Sequence, residues 1–132
     1  MKRLLASSAF AFTFALAFAT AAHADRSIND SGVKIDHDCA TDPEVSINGS
    51  SVELTLTGAC TKLAINGSSC TVTVASASKV AVNGSTNTVA IDAADKIAIT
   101  GSNNTVTYKR GVTKKKPKIS KLGSKNSVKR IQ

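Results

Sequence analysis

The sequence predicts an all-β protein, a small single-domain β-solenoid (parallel β-helix) of about four to five coils, and three observations carry that prediction. A six-residue phrase recurs four times, as Val45-Ser-Ile-Asn-Gly-Ser50, Leu63-Ala-Ile-Asn-Gly-Ser68, Val80-Ala-Val-Asn-Gly-Ser85 and Ile97-Ala-Ile-Thr-Gly-Ser102. Its glycines, at positions 49, 67, 84 and 101, are 18, 17 and 17 residues apart, the kind of fixed period that marks stacked units. A second alternating run follows each glycine, such as Thr71-Val-Thr-Val74 or Thr105-Val-Thr-Tyr108, so every unit holds two short strands.

Counting from the glycine sorts the side chains of residues 45–108 into columns. Two before it stand Ile47, Ile65, Val82 and Ile99; four before it stand Val45, Leu63, Val80 and Ile97; five after it stand Leu54, Val72, Val89 and Val106. Alternation along a strand sends these columns inward together and leaves Ser46, Ala64, Ala81 and Ala98 outside. The Asn-Gly pair is expected to supply the residue that accepts a positive φ where the chain turns. The same pair is a hairpin signal, which makes an antiparallel meander the competing fold. Asn87, Asn104 and Asn126 decide for the solenoid: all three fall three residues after a glycine, where stacked amides can hydrogen-bond along the axis, and a meander has no reason to repeat them.

The segments around the repeats are read in turn. Lys2 and Arg3, an apolar run from Leu4 to Ala19 and an Ala22-His-Ala24 cleavage pattern make residues 1–24 a signal peptide, so the protein is expected to be exported, periplasmic or secreted, with no transmembrane segment after cleavage. Residues 25–44 carry Asp25, Asp30, Asp36, Asp38, Asp42 and Glu44 and are expected to be a polar lead-in that caps the first coil. Past Tyr108 the repeat stretches, because Gly101 and Gly123 are 22 residues apart; residues 109–132 are therefore expected to hold a bulging basic loop and a degenerate terminal coil.

Three cysteines in an exported chain imply one disulfide and one thiol. Cys39 and Cys60 flank the first full repeat outside its strands, whereas Cys70 falls within a strand, so Cys39 is paired with Cys60. The competing reading keeps all three reduced and buried.

Several features now point to one family. The pattern Asn-Gly-Ser-x-Asn-Thr-Val, Cys60 following Thr57-Gly-Ala, the run Asn104-Thr-Val-Thr-Tyr108, a Pro-containing loop and then Gly123-Ser-Lys-Asn-Ser-Val128 resemble the bacterial exported family known as domain of unknown function 3060. The resemblance covers about residues 38–130. It implies a small envelope or secreted β-solenoid and no particular activity. Val52 and Cys70 stand where that family tends to have Asn, and the end is unusually rich in Lys.

Catalysis has little to draw on here. The only His after residue 24 is His37, between Asp36 and Asp38, with no Cys or His at ligand spacing, so no metal, cofactor or catalytic residue is assigned. Asp92 and Asp95 are the sole carboxylates of their coil and read as turn caps rather than an acid and base pair. Outward Thr55, Thr73 and Thr107 in one column, and Thr71, Thr88 and Thr105 in the next, resemble ice-binding arrays, but Glu53 and Ala90 interrupt them.

Charge gives the stronger signal. Residues 25–108 hold five basic residues against nine acidic ones, a net −4, whereas residues 109–132 hold ten basic residues and no acid, a net +10. Those ten are Lys109, Arg110, Lys114, Lys115, Lys116, Lys118, Lys121, Lys125, Lys129 and Arg130. Such a run attracts anionic polymers or lipid surfaces with salt-sensitive affinity. Nucleic acid is not expected as the partner, given export and the scarcity of aromatic side chains for stacking. The function expected is thus a non-catalytic envelope or secreted protein that binds an anionic surface or polymer. The alternatives are a self-assembling solenoid joined head to tail and, behind it, a polysaccharide-acting enzyme or an ice-binding protein.

Overall fold

The computed structural model describes residues 25–132, so the expected signal peptide lies outside the described residues. These residues form nine strands: β1 (Asp25–Ile28), β2 (Lys34–Asp38), β3 (Glu44–Ile47), β4 (Glu53–Ile65), β5 (Thr71–Ser85), β6 (Thr88–Ser102), β7 (Thr105–Arg110), β8 (Lys118–Ser124) and β9 (Ser127–Arg130). Every pairing is parallel, which removes the meander, and each strand pairs with its equivalent one coil later. One ladder runs β1, β3, β4, β5, β6, β8 and the other β2, β4, β5, β6, β7, β9. The long strands β4, β5 and β6 bend through a corner and serve both ladders. The result is a β-solenoid.

It has about six turns rather than four to five. The extra turn comes from the segment expected to be only a lead-in: Asp25–Ile28 pairs in register with Glu44–Ile47, and Lys34–Asp38 with Glu53–Thr57. Its apolar content is small but correctly placed. Ile28 stacks over Ile47, Ile35 over Leu54, and His37 over Leu56. At the other end β8 and β9 form the last coil, with Gly123 in register with Gly101 as the spacing suggested.

Most of the core is the expected columns plus one more, Leu56, Val74, Ile91 and Tyr108, and all of these side chains are at most 7% exposed. Each Val, Leu or Ile so buried contributes about 1.5–3 kcal/mol against exposure. The corner beyond that column is narrow and takes small groups: Cys60, Ala77 and Ala94 stack in register there. Gly58, at φ +75°, makes the irregularity between Leu56 and Ala59 that lets Cys60 enter the column.

The glycine column meets the expected need for positive φ at Gly84, Gly101 and Gly123, at 146°, 128° and 103°, and it has a second reason. A Cβ on Gly67, Gly84, Gly101 or Gly123 would collide with the carbonyl oxygen of the glycine one coil earlier, so successive coils touch backbone to backbone there. A second positive-φ residue stands two positions later in every coil: Ser51, Ser69, Thr86, Asn103 and Lys125 all have φ between 55° and 59°. That region is uncommon for any residue with a side chain, and for β-branched Thr86 most of all.

Candidate functional site

The basic end is built around one carboxylate. Asp95 leaves the corner of β6 and accepts three hydrogen bonds from the loop between β7 and β8: the backbone N–H groups of Val112 and Thr113, both 2.8 Å from Oδ1, and the Thr113 hydroxyl, 2.8 Å from Oδ2. Donation to the ionised form, led by the Thr113 N–H, holds the Asp95 carboxyl below the usual carboxylate range. One coil edge thereby fixes the loop carrying Lys114, Lys115 and Lys116, all of which are exposed, before buried Pro117 returns the chain to β8.

Neighbouring contacts organise the rest. Lys109 Nζ lies 2.9 Å from Asp92, and Arg130 Nε donates to the Lys109 carbonyl at 3.0 Å. Lys109, Arg110 and Arg130 together border an open hollow of about 500 Å³ closed by Ile131 and Gln132. Lys121 and Arg130 occupy columns filled upstream by Ile99 and Tyr108, so the terminal coil turns a polar surface toward solvent where another coil would stack. Lys118, Lys121, Lys125 and Lys129 are likewise exposed on β8, β9 and their connection. Of the ten basic residues, Lys109 alone takes part in one of the two ion pairs found among the described residues.

The two carboxylates considered for catalysis are thus engaged in holding this end, Asp92 on Lys109 and Asp95 on the loop. At the opposite end, His37 fills an inward column with Nε2 3.1 Å from the Asp42 carbonyl, and Asp38 accepts the Ala40 N–H at 2.9 Å. The threonine columns align as expected, Thr55 with Thr73 and Thr71 with Thr88 and Thr105, with Ala90 between Thr73 and Thr107.

Cys39 and Cys60 form the disulfide, with Cα atoms 5.0 Å apart, and it joins the first two coils. Cys70 is a buried thiol. Its neighbours in the same column show what Asn does there. Asn87 accepts the Cys70 N–H at 3.0 Å and donates to the Gly67 carbonyl at 3.0 Å; Asn104 accepts the Asn87 N–H at 3.0 Å and donates to the Gly84 carbonyl at 2.9 Å. Asn126 repeats the pattern, accepting the Asn104 N–H at 3.1 Å and donating to the Gly101 carbonyl at 2.9 Å. The expected amide-to-amide bond occurs once, from Asn104 to Asn126 at 3.1 Å; elsewhere the ladder is a clamp from side chain to backbone.

A true amide ladder stands at the residue before the glycine. Asn48 donates to Asn29, Asn66 to Asn48 and Asn83 to Asn66, at 2.9, 3.0 and 3.2 Å. Sequence reasoning had absorbed these residues into the turn. It also missed that Lys118, already singled out in the basic end, aligns in one column with Lys62, Lys79 and Lys96; each stands five residues before its glycine, and that count alone would have found the column.

No curated protein and no solved structure matches this chain. A family model does match it, over residues 47–90 and again over residues 78–125, and its two hits overlap within the repeats as a periodic fold requires. Those matches span most of the described coils, and the chain belongs to the family of proteins of unknown function DUF3060.

Proposed function

We propose that this protein is a non-catalytic, exported binding protein that holds an anionic surface or polymer of the cell envelope with its Lys-rich C-terminal end. The observation that carries the reading is the tethered loop: Asp95 fixes three consecutive exposed lysines beside the hollow bordered by Lys109, Arg110 and Arg130. A mobile tail would lose more side-chain and backbone entropy on binding than a loop already held in place. The Cys39–Cys60 disulfide supports an oxidising compartment. The acidic body and basic end make the molecule dipolar, which would steer the end toward a negative surface.

Co-sedimentation with vesicles containing phosphatidylglycerol tests the reading, with phosphatidylcholine vesicles as the neutral control. Binding should fall as salt rises and should weaken by about tenfold in Lys114→Gln/Lys115→Gln/Lys116→Gln. Equal binding of parent and variant, both to these vesicles and to isolated envelope material, would overturn it.

A second reading, head-to-tail self-association, is supported by the register of the two ends. Extending the columns into another copy would set Lys118 against Asp25 and Lys129 against Asp36. Sedimentation velocity at low salt decides it: a concentration-dependent rise supports stacking, and a fixed monomer value over a hundredfold concentration range rejects it.

A further inference from the structure

One face of the solenoid carries three parallel tracks along its axis. The first is the lysine column, Lys62, Lys79, Lys96 and Lys118, all exposed. Successive strands are about 4.8 Å apart, so the four ammonium groups span roughly 14 Å. Two residues further along the same strands lies a floor of small side chains, Ala64, Ala81, Ala98 and Ser120. Beyond the floor, beside Lys62 and Lys79, stands the amide ladder, in which the bonds from Asn66 to Asn48 and from Asn83 to Asn66 fix the amides edge to edge; beside Lys96 and Lys118 the column continues as Thr100 and Leu122.

Nothing in the fold explains the lysines. Like charges directly opposite on neighbouring strands are destabilising, and this column repeats the arrangement at three successive interfaces. Neither of the two ion pairs among the described residues includes them. The same column turns acidic toward the start of the solenoid, where Asp25 and Glu44 border a shallow hollow of about 110 Å³ beside Lys62. A negatively charged chain lying along the lysines would therefore stop at that end. The track has a closed end and a repeat of one cation per coil.

We infer that this face binds a single extended strand of an acidic polysaccharide, with carboxylates against Lys62, Lys79, Lys96 and Lys118 and ring hydroxyls against the amides of Asn66 and Asn83. Four cations in line match a polymer with a regular charge repeat, and a floor without bulky side chains admits a flat sugar ribbon. Fixed amides offer the donors and acceptors that hydroxyls need. A nucleic acid strand fits less well, since the face has no aromatic group on which bases could stack. The site shares Lys118 with the basic end but not the tethered loop of Lys114, Lys115 and Lys116 that carries the proposed function, so variants of Lys62, Lys79 and Lys96 test it independently.

Polygalacturonate and its oligomers, with the methyl-esterified polymer as neutral control and oligo-dT as the competing polyanion, test the inference by equilibrium binding to the purified protein. Lys62→Gln/Lys79→Gln/Lys96→Gln is compared with Lys114→Gln/Lys115→Gln/Lys116→Gln, which removes the same charge elsewhere. The groove variant should lose about tenfold or more in affinity for polygalacturonate, and the loop variant should stay within about threefold of the parent. Oligomers too short to reach across the column should bind more weakly than the hexamer. The groove variant should melt no lower than the parent, because it removes like-charge repulsion. Equal losses in the two variants, undiminished binding in the groove variant, a lowered melting temperature there, or tighter binding of oligo-dT than of polygalacturonate would each overturn the assignment.

Discussion

Replacing Asn87 by Ala strikes the solenoid at the bond that joins one coil to the next through a side chain. Asn87 is 0% exposed, and its amide serves two backbone groups on the preceding coil: it accepts from the Cys70 N–H and donates to the Gly67 carbonyl, both at 3.0 Å. Truncation leaves both groups buried without a partner. Each such loss costs about 1–3 kcal/mol, so the expected destabilisation is about 2–6 kcal/mol before any contribution from the cavity. A domain of this size has only about 5–15 kcal/mol in total. The same substitution at exposed Asn83, whose amide bonds one neighbouring side chain, should cost about 1 kcal/mol or less. Urea unfolding followed by circular dichroism measures both. If the Asn87 variant unfolds at the same midpoint as the Asn83 variant, the clamp contributes nothing beyond an ordinary surface bond, and the argument from buried backbone groups fails.

Further outcomes are expected elsewhere. Cys70→Asn should raise the melting temperature, since Asn in this column adds an acceptor for the coil above and replaces the 3.4 Å contact of the Cys70 thiol with the Gly49 carbonyl by an amide donor; a lower midpoint in thermal unfolding would count against it. Cys39→Ser/Cys60→Ser opens a link between residues 21 apart and should cost about 3 kcal/mol in denaturant titration, the same shift that a reductant should produce in the parent. Gly84→Ala should unfold the protein or lower its stability by several kcal/mol, roughly 3 or more, because the new Cβ meets the Gly67 carbonyl; a neutral result in a melt would contradict the backbone contact. Asp95 has a folded carboxyl held below its unfolded value, so its grip on the loop is complete above about pH 4 and is lost as the pH falls through the folded value; hydrogen exchange at Val112 and Thr113 should show that release, and Asp95→Ala should show it at neutral pH.

The columns were legible because a solenoid writes its cross-section into the spacing of its glycines. Ile47, Ile65, Val82 and Ile99 could be aligned by counting, and the structure stacks them in that register. The first coil escaped because Asn29-Asp30 stands in place of Asn-Gly and its two strands carry one buried Ile and a half-buried one among polar residues. Local turn rules gave half the account of the glycines: they anticipate the positive φ of Gly84, Gly101 and Gly123 but consider one chain segment at a time, whereas the tighter constraint is a carbonyl one coil away. The destination of the Asn87 and Asn104 amides was hidden for the same reason. At the candidate site, the density of Lys after Tyr108 was plain, but the part played by Asp95 was not, because its partners lie 17 and 18 residues downstream. Summing charge over residues 25–108 concealed the column of Lys62, Lys79 and Lys96 inside a negative total.

The disulfide stitches only the first two coils, while the terminal coil is held by hydrogen bonds and an exposed strand, β8. Because every coil touches only its neighbours, this places the most firmly closed unit at the N-terminal side of the described coils. Each later stretch of about 17 residues then meets a finished edge with its glycine carbonyl and amide acceptor already in position. Assembly can proceed like a zip drawn from a sewn end, and fraying begins where the sewing is absent.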